Sequence, residues 1–335
     1  MAVNTTTLGA GYIQLPTGTT GERPGSPAVG MIRYNTTTGA TEAYGSTGWI
    51  IMDNLFSAVG GTEATYAISS TNYKSHTFTS SGTFTIQSGS KACDIMLVAG
   101  GGQGGPWHAG GSGAGGMIVL TNQTLSQGAY TIGVGAGGFG TNSDFGVQGA
   151  TSTGFGETAY GGGSGRSFPN QGQQYDGGSG GGGAGITGSP GGVSTGSSSP
   201  RGGTIYGNAG GGGRAGPSYH EGGGGGGAGG VGETFVDSVR GGNGGPGVNN
   251  AYRYGSNVAY AGGGGGGAWN GAVGGSGGSG VGGGGFYSGN SQTQTGSPAV
   301  QNSGSGSGGR GGQYPVSGVP GPAGADGIVV IRYAV

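Results

Sequence analysis

Apolar residues along this chain gather in short runs near its two ends, and a long middle stretch has few of them. Residues 31–35 (Met-Ile-Arg-Tyr-Asn) read as a strand, 36–40 as a turn, 41–44 as its return, and 49–52 (Trp-Ile-Ile-Met) close that unit. Residues 74–79 and 83–86 flank Ser80-Ser81-Gly82, a hairpin signal. Residues 94–99 (Asp-Ile-Met-Leu-Val-Ala), apolar from Ile95 on, are expected to be a buried strand that leads into Gly100-Gly101-Gly102. Two more strands are predicted at 117–120 and 130–134, with Leu125 and Tyr130 covering one end of the sheet. Another is predicted at 328–333. The chain therefore leaves a small sheet, makes a long excursion, and returns to the sheet.

That excursion is written mostly in glycine, which supplies 100 of 335 residues, while charged residues make up only 7%. Glycine loses more backbone freedom on ordering than any other residue, so such a composition often means disorder. Charge-driven disorder, however, needs high net charge and few aromatics. This chain has a net charge of −1 with 16 Tyr, 9 Phe and 3 Trp, which favours an ordered, packed arrangement.

Polyproline-II geometry offers one. It has three residues per turn and no internal hydrogen bonds, so each N–H and C=O points sideways to a neighbour. Without side chains, neighbouring helices approach closely enough to pair, with Cα–H···O contacts adding to the bonding. Any Cβ in the interior forces neighbours apart, and isolated Ala, Ser and Asn are expected at outward or boundary positions. The fold class expected is all-β plus polyglycine-II: a small β framework (58–135 and 327–335) carrying about ten extended glycine helices (100–116 and 161–312), without substantial α-helix. The segments are 100–105, 110–116, 161–165, 177–185, 209–213, 222–230, 241–247, 262–267, 274–285 and 304–312. Residues 318–327, with three Gly-X-Y triplets, read as an extended connector.

If each linker reverses the chain, parity sorts the linkers between the sheet and the far end. Residues 106–109, 166–176, 214–221, 248–261 and 286–303 fall at the far end. They bring Trp107, His108, Phe168, Tyr175, Tyr219, His220, Tyr252, Arg253, Tyr254, Tyr260, Phe286 and Tyr287 there, with Arg166 and Arg214 beside them. Tyr206, Phe235, Trp269 and Tyr314 fall at the sheet end. Tyr and Trp give large contact area at low entropic cost, so such a far end suits a binding surface for sugars or proteins. A cap that only shields the bundle from water is the competing explanation.

Two stretches carry resemblances. Arg23-Pro24, Pro27, 30–37 (Gly-Met-Ile-Arg-Tyr-Asn-Thr-Thr), Glu42, Tyr44 and Trp49 resemble a short module of phage tail-fibre proteins. Phe84-Thr85-Ile86, 97–102, 128–138 and 327–333 resemble a glycine-rich domain of phage adhesins and, more distantly, of a receptor-kinase ectodomain. The likeness to phage adhesins implies a virion fibre whose far loops bind a bacterial surface receptor, a polysaccharide or an outer-membrane component. Of the far-end residues, Trp107, His108, Phe168, Tyr175, Tyr219, His220, Tyr252, Arg253, Tyr254, Phe286 and Tyr287 would be the receptor-binding set. Residues 1–57 would attach to other virion tail proteins and oligomerise, as a homotrimer, and 58–335 would form the adhesin domain. Assembly in the host cytoplasm and release with the virion fit a chain whose N-terminus lacks the charged-then-apolar pattern of a secretory signal. The alternatives are a structural fibre or head decoration without a receptor, and an elastic or glue-like glycine-rich polymer.

Other chemistry finds little footing. Two lysines, Lys74 and Lys91, leave no basic stripe for nucleic acid. A single cysteine, Cys93, makes no internal disulfide and is expected as a small core or boundary residue. Gly-x-Gly-x-x-Gly patterns are background where none opens a helix. His108 and His220 lack metal-ligand spacing. Asp176, Glu221, Glu233 and Asp237 are the nearest carboxylates, and parity separates the first two from the last two. No enzyme activity, cofactor, metal site, nucleic-acid binding or membrane insertion is expected.

Overall fold

A computed structural model describes residues 14–52, 56–140, 145–168, 175–186, 189–215, 220–288, 296–312 and 320–335. The protein is all-β: the only helical turns among these residues are Thr20–Glu22 and Gly278–Gly280, both 3-10. Two compact units are formed. One holds the chain to Ala58 with 86–91 and 125–128, and the other holds the remainder.

In the first unit a four-stranded sheet runs Thr17–Gly18, Ile32–Asn35, Ala40–Gly45, Gly48–Ile51. The hairpin expected at 31–44 is thus present, and the 49–52 stretch pairs beside it. Its interior is polar. Glu42 is fully buried, takes a two-pronged ion pair from Arg23, and accepts from Asn35 Nδ2 at 3.0 Å. Arg33 donates to the Thr19 carbonyl at 2.9 Å, and the Arg23 guanidinium lies over Trp49. Arg23, Asn35 and Glu42 therefore form one hydrogen-bonded network, with Arg33 ion-paired to Glu42 beside it.

The second unit is built on a seven-stranded sheet. Its order is Thr204–Tyr206, Met117–Ile132, Gly82–Val98, Ile328–Ala334, Thr71–Phe78, Thr62–Ile68, with Ser57–Val59 also pairing onto Gly82–Val98. The strands expected at 117–120 and 130–134 are one continuous strand. The C-terminal strand sits in the centre, pairing Val330 with both Met96 and Thr77. Side chains alternate between faces as strand geometry requires. Met96, Val98, Met117, Ile328 and Val330 bury one face, and Phe84, Ile95, Leu97, Ile331 and Tyr333 are buried from the strands as well. Cys93 is buried, as its position suggested.

Beyond Val98 the chain leaves the strand and becomes an extended rod. The 222–228 rod shows the packing rule. Gly222, Gly225 and Ala228 donate to Gly267, Gly264 and Ala261, Gly223 and Gly226 donate to Gly183 and Gly180, and Gly224 and Gly227 donate to Glu233 and Gly230. Every third residue meets the same neighbour, which is the signature of a threefold extended helix with sideways bonds. The 109–116 rod is surrounded completely. It donates to rods 304–310, 160–166 and 222–228, and it accepts from rods 99–105, 177–185 and 261–268, six neighbours among the described residues. Neighbours run both parallel (111 to 223, 114 to 226) and antiparallel (109 to 310, 112 to 307).

Glycine is needed here for space rather than for conformation. A Cβ on Gly264 would stand 1.9 Å from the Ser307 carbonyl oxygen, and on Gly111 2.1 Å from that of Gly264. Neither lies among the positive-φ glycines. Rod edges are more permissive, since the nearest atom to a Cβ on Gly212 is 3.6 Å away.

Three expectations are corrected. Ser112, Ala114, Ser164, Ser179, Ser305 and Ser307 are buried within rods rather than outward. The Ser112 hydroxyl shows how this is tolerated: it accepts from the Ser307 N–H at 2.7 Å and donates to the Gly102 carbonyl at 2.6 Å. It thereby bridges two rods that it holds apart. The 274–285 segment is two rods joined by the turn at Gly278–Gly280, and residues 320–327 are a rod in their own right, with Ala325 and Pro322 accepting from Gly101 and Gly104. Residues 134–140 and 145–150 also belong to the bundle, which parity counting omitted.

Candidate binding surface

The rods define two ends for the glycine-rich unit, one continuous with the sheet and one distal to it. Parity fails to sort the linkers because successive glycine runs do not always alternate in direction. Rod 160–166 and rod 177–185 run parallel, with Gly163 and Arg166 donating to Ser179 and Gly182. Short return rods at 189–193, 230–233 and 282–286 shift the count again.

The consequence is an exchange of aromatic residues between the ends. Residues 248–261, expected distal, lie on the sheet: Tyr252 and Tyr260 join Met96, Val98, Ile328 and Val330 in one buried cluster. Arg332 lies over the Tyr252 ring, Tyr66 Oη donates to the Tyr252 carbonyl, and Ser75 Oγ donates to the Arg253 carbonyl at 2.8 Å. Burial and the Asp94 carboxylate push the Tyr252 phenol up to about 12. Tyr252, Arg253 and Tyr254 thus belong to the sheet end, although Tyr254 is 50% exposed. In the opposite sense Trp269 and Phe235, expected at the sheet, are distal.

The distal end is closed by a small four-stranded sheet, Arg214–Ala215, His220–Glu221, Ala268–Trp269 and Tyr287–Ser288. Glu221 faces Ala268, and Ala268 faces Tyr287. This arrangement brings the His220 and Trp269 rings together at 5.4 Å, and the His108 ring stacks on His220 at 4.2 Å. Trp107 and His108 are almost fully buried, with Arg310 over the Trp107 ring. Burial, and then the neighbouring His220, hold His108 down to about 3, so it is neutral throughout the physiological range. Burial pushes the Glu221 carboxyl up and Arg310 down. His220 Nδ1 bonds to the Gly185 carbonyl at 2.8 Å. No group of three metal-ligating side chains occurs among the described residues. The cluster is a lid on the rod ends, and it withdraws Trp107 and His108 from any exposed contact surface.

What the distal end does expose is chiefly phenylalanine and valine. Phe168 donates its N–H to the Trp107 carbonyl and is 40% exposed. Phe139 (65%) and Phe145 (40%) sit at the distal ends of the 134–140 and 145–150 rods, which bond to the Gln103 side chain. Val239 and Val273 are exposed beside each other. Tyr175 is half-buried with the Arg166 guanidinium 4.2 Å from its ring centre, and Phe286 is half-buried beside the Ala268–Trp269 strand. Tyr287 contributes backbone to the distal sheet, while Tyr219 and Tyr314 lie outside the described residues. Of the expected binding residues, Trp107, His108, Phe168, His220, Phe286 and Tyr287 come to one end. Sequence reasoning missed Phe139 and Phe145, although each neighbours a glycine as in the other rods, because only runs of glycine were counted as rods.

A seven-stranded all-β frame that holds threefold extended glycine rods defines a glycine-rod protein. The family model described as "glycine-rich domain" matches residues 76–334, and the chain belongs to that family. None of the curated proteins compared with the chain matches it.

Proposed function

We propose that the protein is a bacteriophage virion fibre or adhesin whose sheet-distal loops bind a receptor on the bacterial surface, a polysaccharide or an outer-membrane component. The observation that supports this most is the exposure of Phe139, Phe145 and Phe168 at the distal ends of packed glycine rods. Exposed aromatics on a rigid support give contact area at little entropic cost. In this reading the protein is not an enzyme, needs no cofactor, and works by adsorption. Contacts that are weak singly become effective through copies displayed together. Residues 1–57 join it to other tail proteins and to its own copies, as a homotrimer, after assembly in the host cytoplasm.

Replacing Phe139, Phe145 and Phe168 together by serine tests the reading. Purified protein is expected to lose at least tenfold in binding to host cells while its melting temperature stays within about 2 °C, as surface changes generally allow. Exchanging the distal loops 139–146, 166–175 and 214–220 for those of a related fibre is expected to move host range. Unaltered cell binding by the triple variant and unaltered host range after exchange would favour a structural fibre or head decoration instead.

A further inference from the structure

The first unit has its polarity inverted. Opposed residues in antiparallel strands share a face. Register places Arg33 and Glu42 on one face, and Ile32, Ala43 and Ile50 on the other, with Tyr34 opposite Thr41. The polar face is the covered one: Arg33, Asn35 and Glu42 are buried. The apolar face is bare: Ile32 is 42%, Tyr34 36% and Ile50 56% exposed, and Val29 and Met31 lead into it at 71% and 39%. Among the described residues up to position 58, the only buried hydrophobics are Ala40 and Ala58. The unit also holds the buried Ile86 and Leu125, but the four-stranded sheet itself fully buries no described apolar side chain larger than alanine, so it gains stability when its apolar face is covered.

We propose that this face is a homotypic interface, on which a second copy of the chain seats its own Ile32, Tyr34 and Ile50. Three observations select a copy over a different partner. Within the four-stranded sheet Arg23 and Arg33 turn onto the buried Glu42, away from the apolar face, and the exposed Glu22 is held to Thr19. A symmetric contact sets each residue near its own counterpart, so any charge on the face would repel itself. The face also offers no charge by which a heterologous partner would be selected. Finally, Gly48–Ile51 is the edge strand of the sheet and carries Ile50, so the apolar stripe runs to an open edge able to pair. A surface needed for folding is covered most directly by a partner made with it, and the copy is always present.

The inference deepens the self-association in the functional reading above but does not rest on receptor binding, so either can fail alone. Sedimentation of the full chain at ~50 µM, well above the Kd of a specific assembly, is expected to give a mass at least twice the 31.5 kDa of one chain. The double variant Ile32→Asp/Ile50→Asp is expected to fall to 31.5 kDa with amide protection of the glycine rods unchanged. A monomeric wild type overturns the proposal, as does a double variant that keeps its mass. Where the double variant fails to fold, cross-linking decides. Ile50→Cys is expected to cross-link between chains with a short bismaleimide at least tenfold faster than Val193→Cys, which is 57% exposed in the other unit, the native Cys93 being buried. Equal rates overturn the proposal.

Discussion

Two regions of this protein bury polar groups in opposite ways. In the rods, the buried groups are chiefly backbone amides and carbonyls that meet neighbouring rods, with a few serine hydroxyls bridging between them. In the N-terminal sheet they are side chains, with Arg23, Asn35 and Glu42 in one network. Both satisfy the rule that buried polar groups find partners. They differ in what a substitution removes. Trimming a side chain in the N-terminal network leaves a partner unpaired, whereas adding a carbon at a rod glycine whose Cβ position is filled by a neighbouring carbonyl breaks the spacing on which a row of bonds depends.

The largest effect should come from that added carbon. Gly264→Ala sets a Cβ 1.9 Å from the Ser307 carbonyl oxygen, with backbone on every side. Overpacking of this kind is expected to cost at least about 3 kcal/mol, read as loss of the cooperative unfolding transition or a sharply lowered midpoint. Its control lies in another rod: Gly211→Ala meets the Glu233 carbonyl at 2.0 Å, whereas its neighbour Gly212→Ala meets nothing closer than 3.6 Å. The first should destabilise like Gly264→Ala and the second should be neutral or gain up to about 1 kcal/mol through the unfolded chain. Equal effects at 211 and 212 would refute the steric account of the rods.

Next comes the apolar frame. Leu97 is fully buried, and Leu97→Ala is expected to cost about 2–5 kcal/mol, measured by denaturant unfolding. This cost should exceed that of any exposed distal phenylalanine changed to serine.

Acid separates the two regions further. His108 is held at about 3 when folded, below its ordinary 6.5, so the unfolded chain takes up the proton first as pH falls. Stability of the glycine-rich unit therefore loses the His108 contribution progressively between pH 6.5 and about 3. Glu221, pushed above its ordinary 4.5, acts in the opposite sense: its contribution is full below 4.5 and is lost as pH rises through the folded value. A His108→Gln variant isolates the first effect, since its stability should vary less between pH 7 and 5 than that of the wild type. In the N-terminal sheet, Arg23 and then Asn35 hold Glu42 below 4.5, so its contribution is present above 4.5 and is lost only as pH falls through the depressed value.

The smallest effect should be at the exposed distal pair. Arg214 and Asp237 are 2.8 Å apart with side chains 46% and 59% exposed. Removing either is expected to change stability by less than about 1 kcal/mol, and less still in high salt.

Much of this fold was legible in the residues themselves. Apolar runs at 95–98 and 328–333 announced the central strands, because a strand covered on both faces has no polar side to show. Glycine runs announced the rods, because only a chain without Cβ atoms packs at that spacing. The sorting of linkers was not legible. Rods 160–166 and 177–185 run parallel with no glycine run between them, so a count of runs cannot register the change of direction. Nor does composition mark Tyr252 and Tyr260 as sheet-covering side chains or Trp269 as part of the distal lid, since the same rings serve burial and contact alike. The buried serines escaped for a related reason: a hydroxyl both widens the gap between rods and bridges it, so Ser112 fits where alanine-sized volume alone argued against it.

Native-state amide exchange tests the central claim most directly. Sideways bonding between threefold rods predicts that 109–116, 222–228 and 261–268, though outside the main sheet, exchange as slowly as the Ile328–Ala334 strand at its centre. Exchange of those rods at the rate of free peptide, with the strand alone protected, would contradict it.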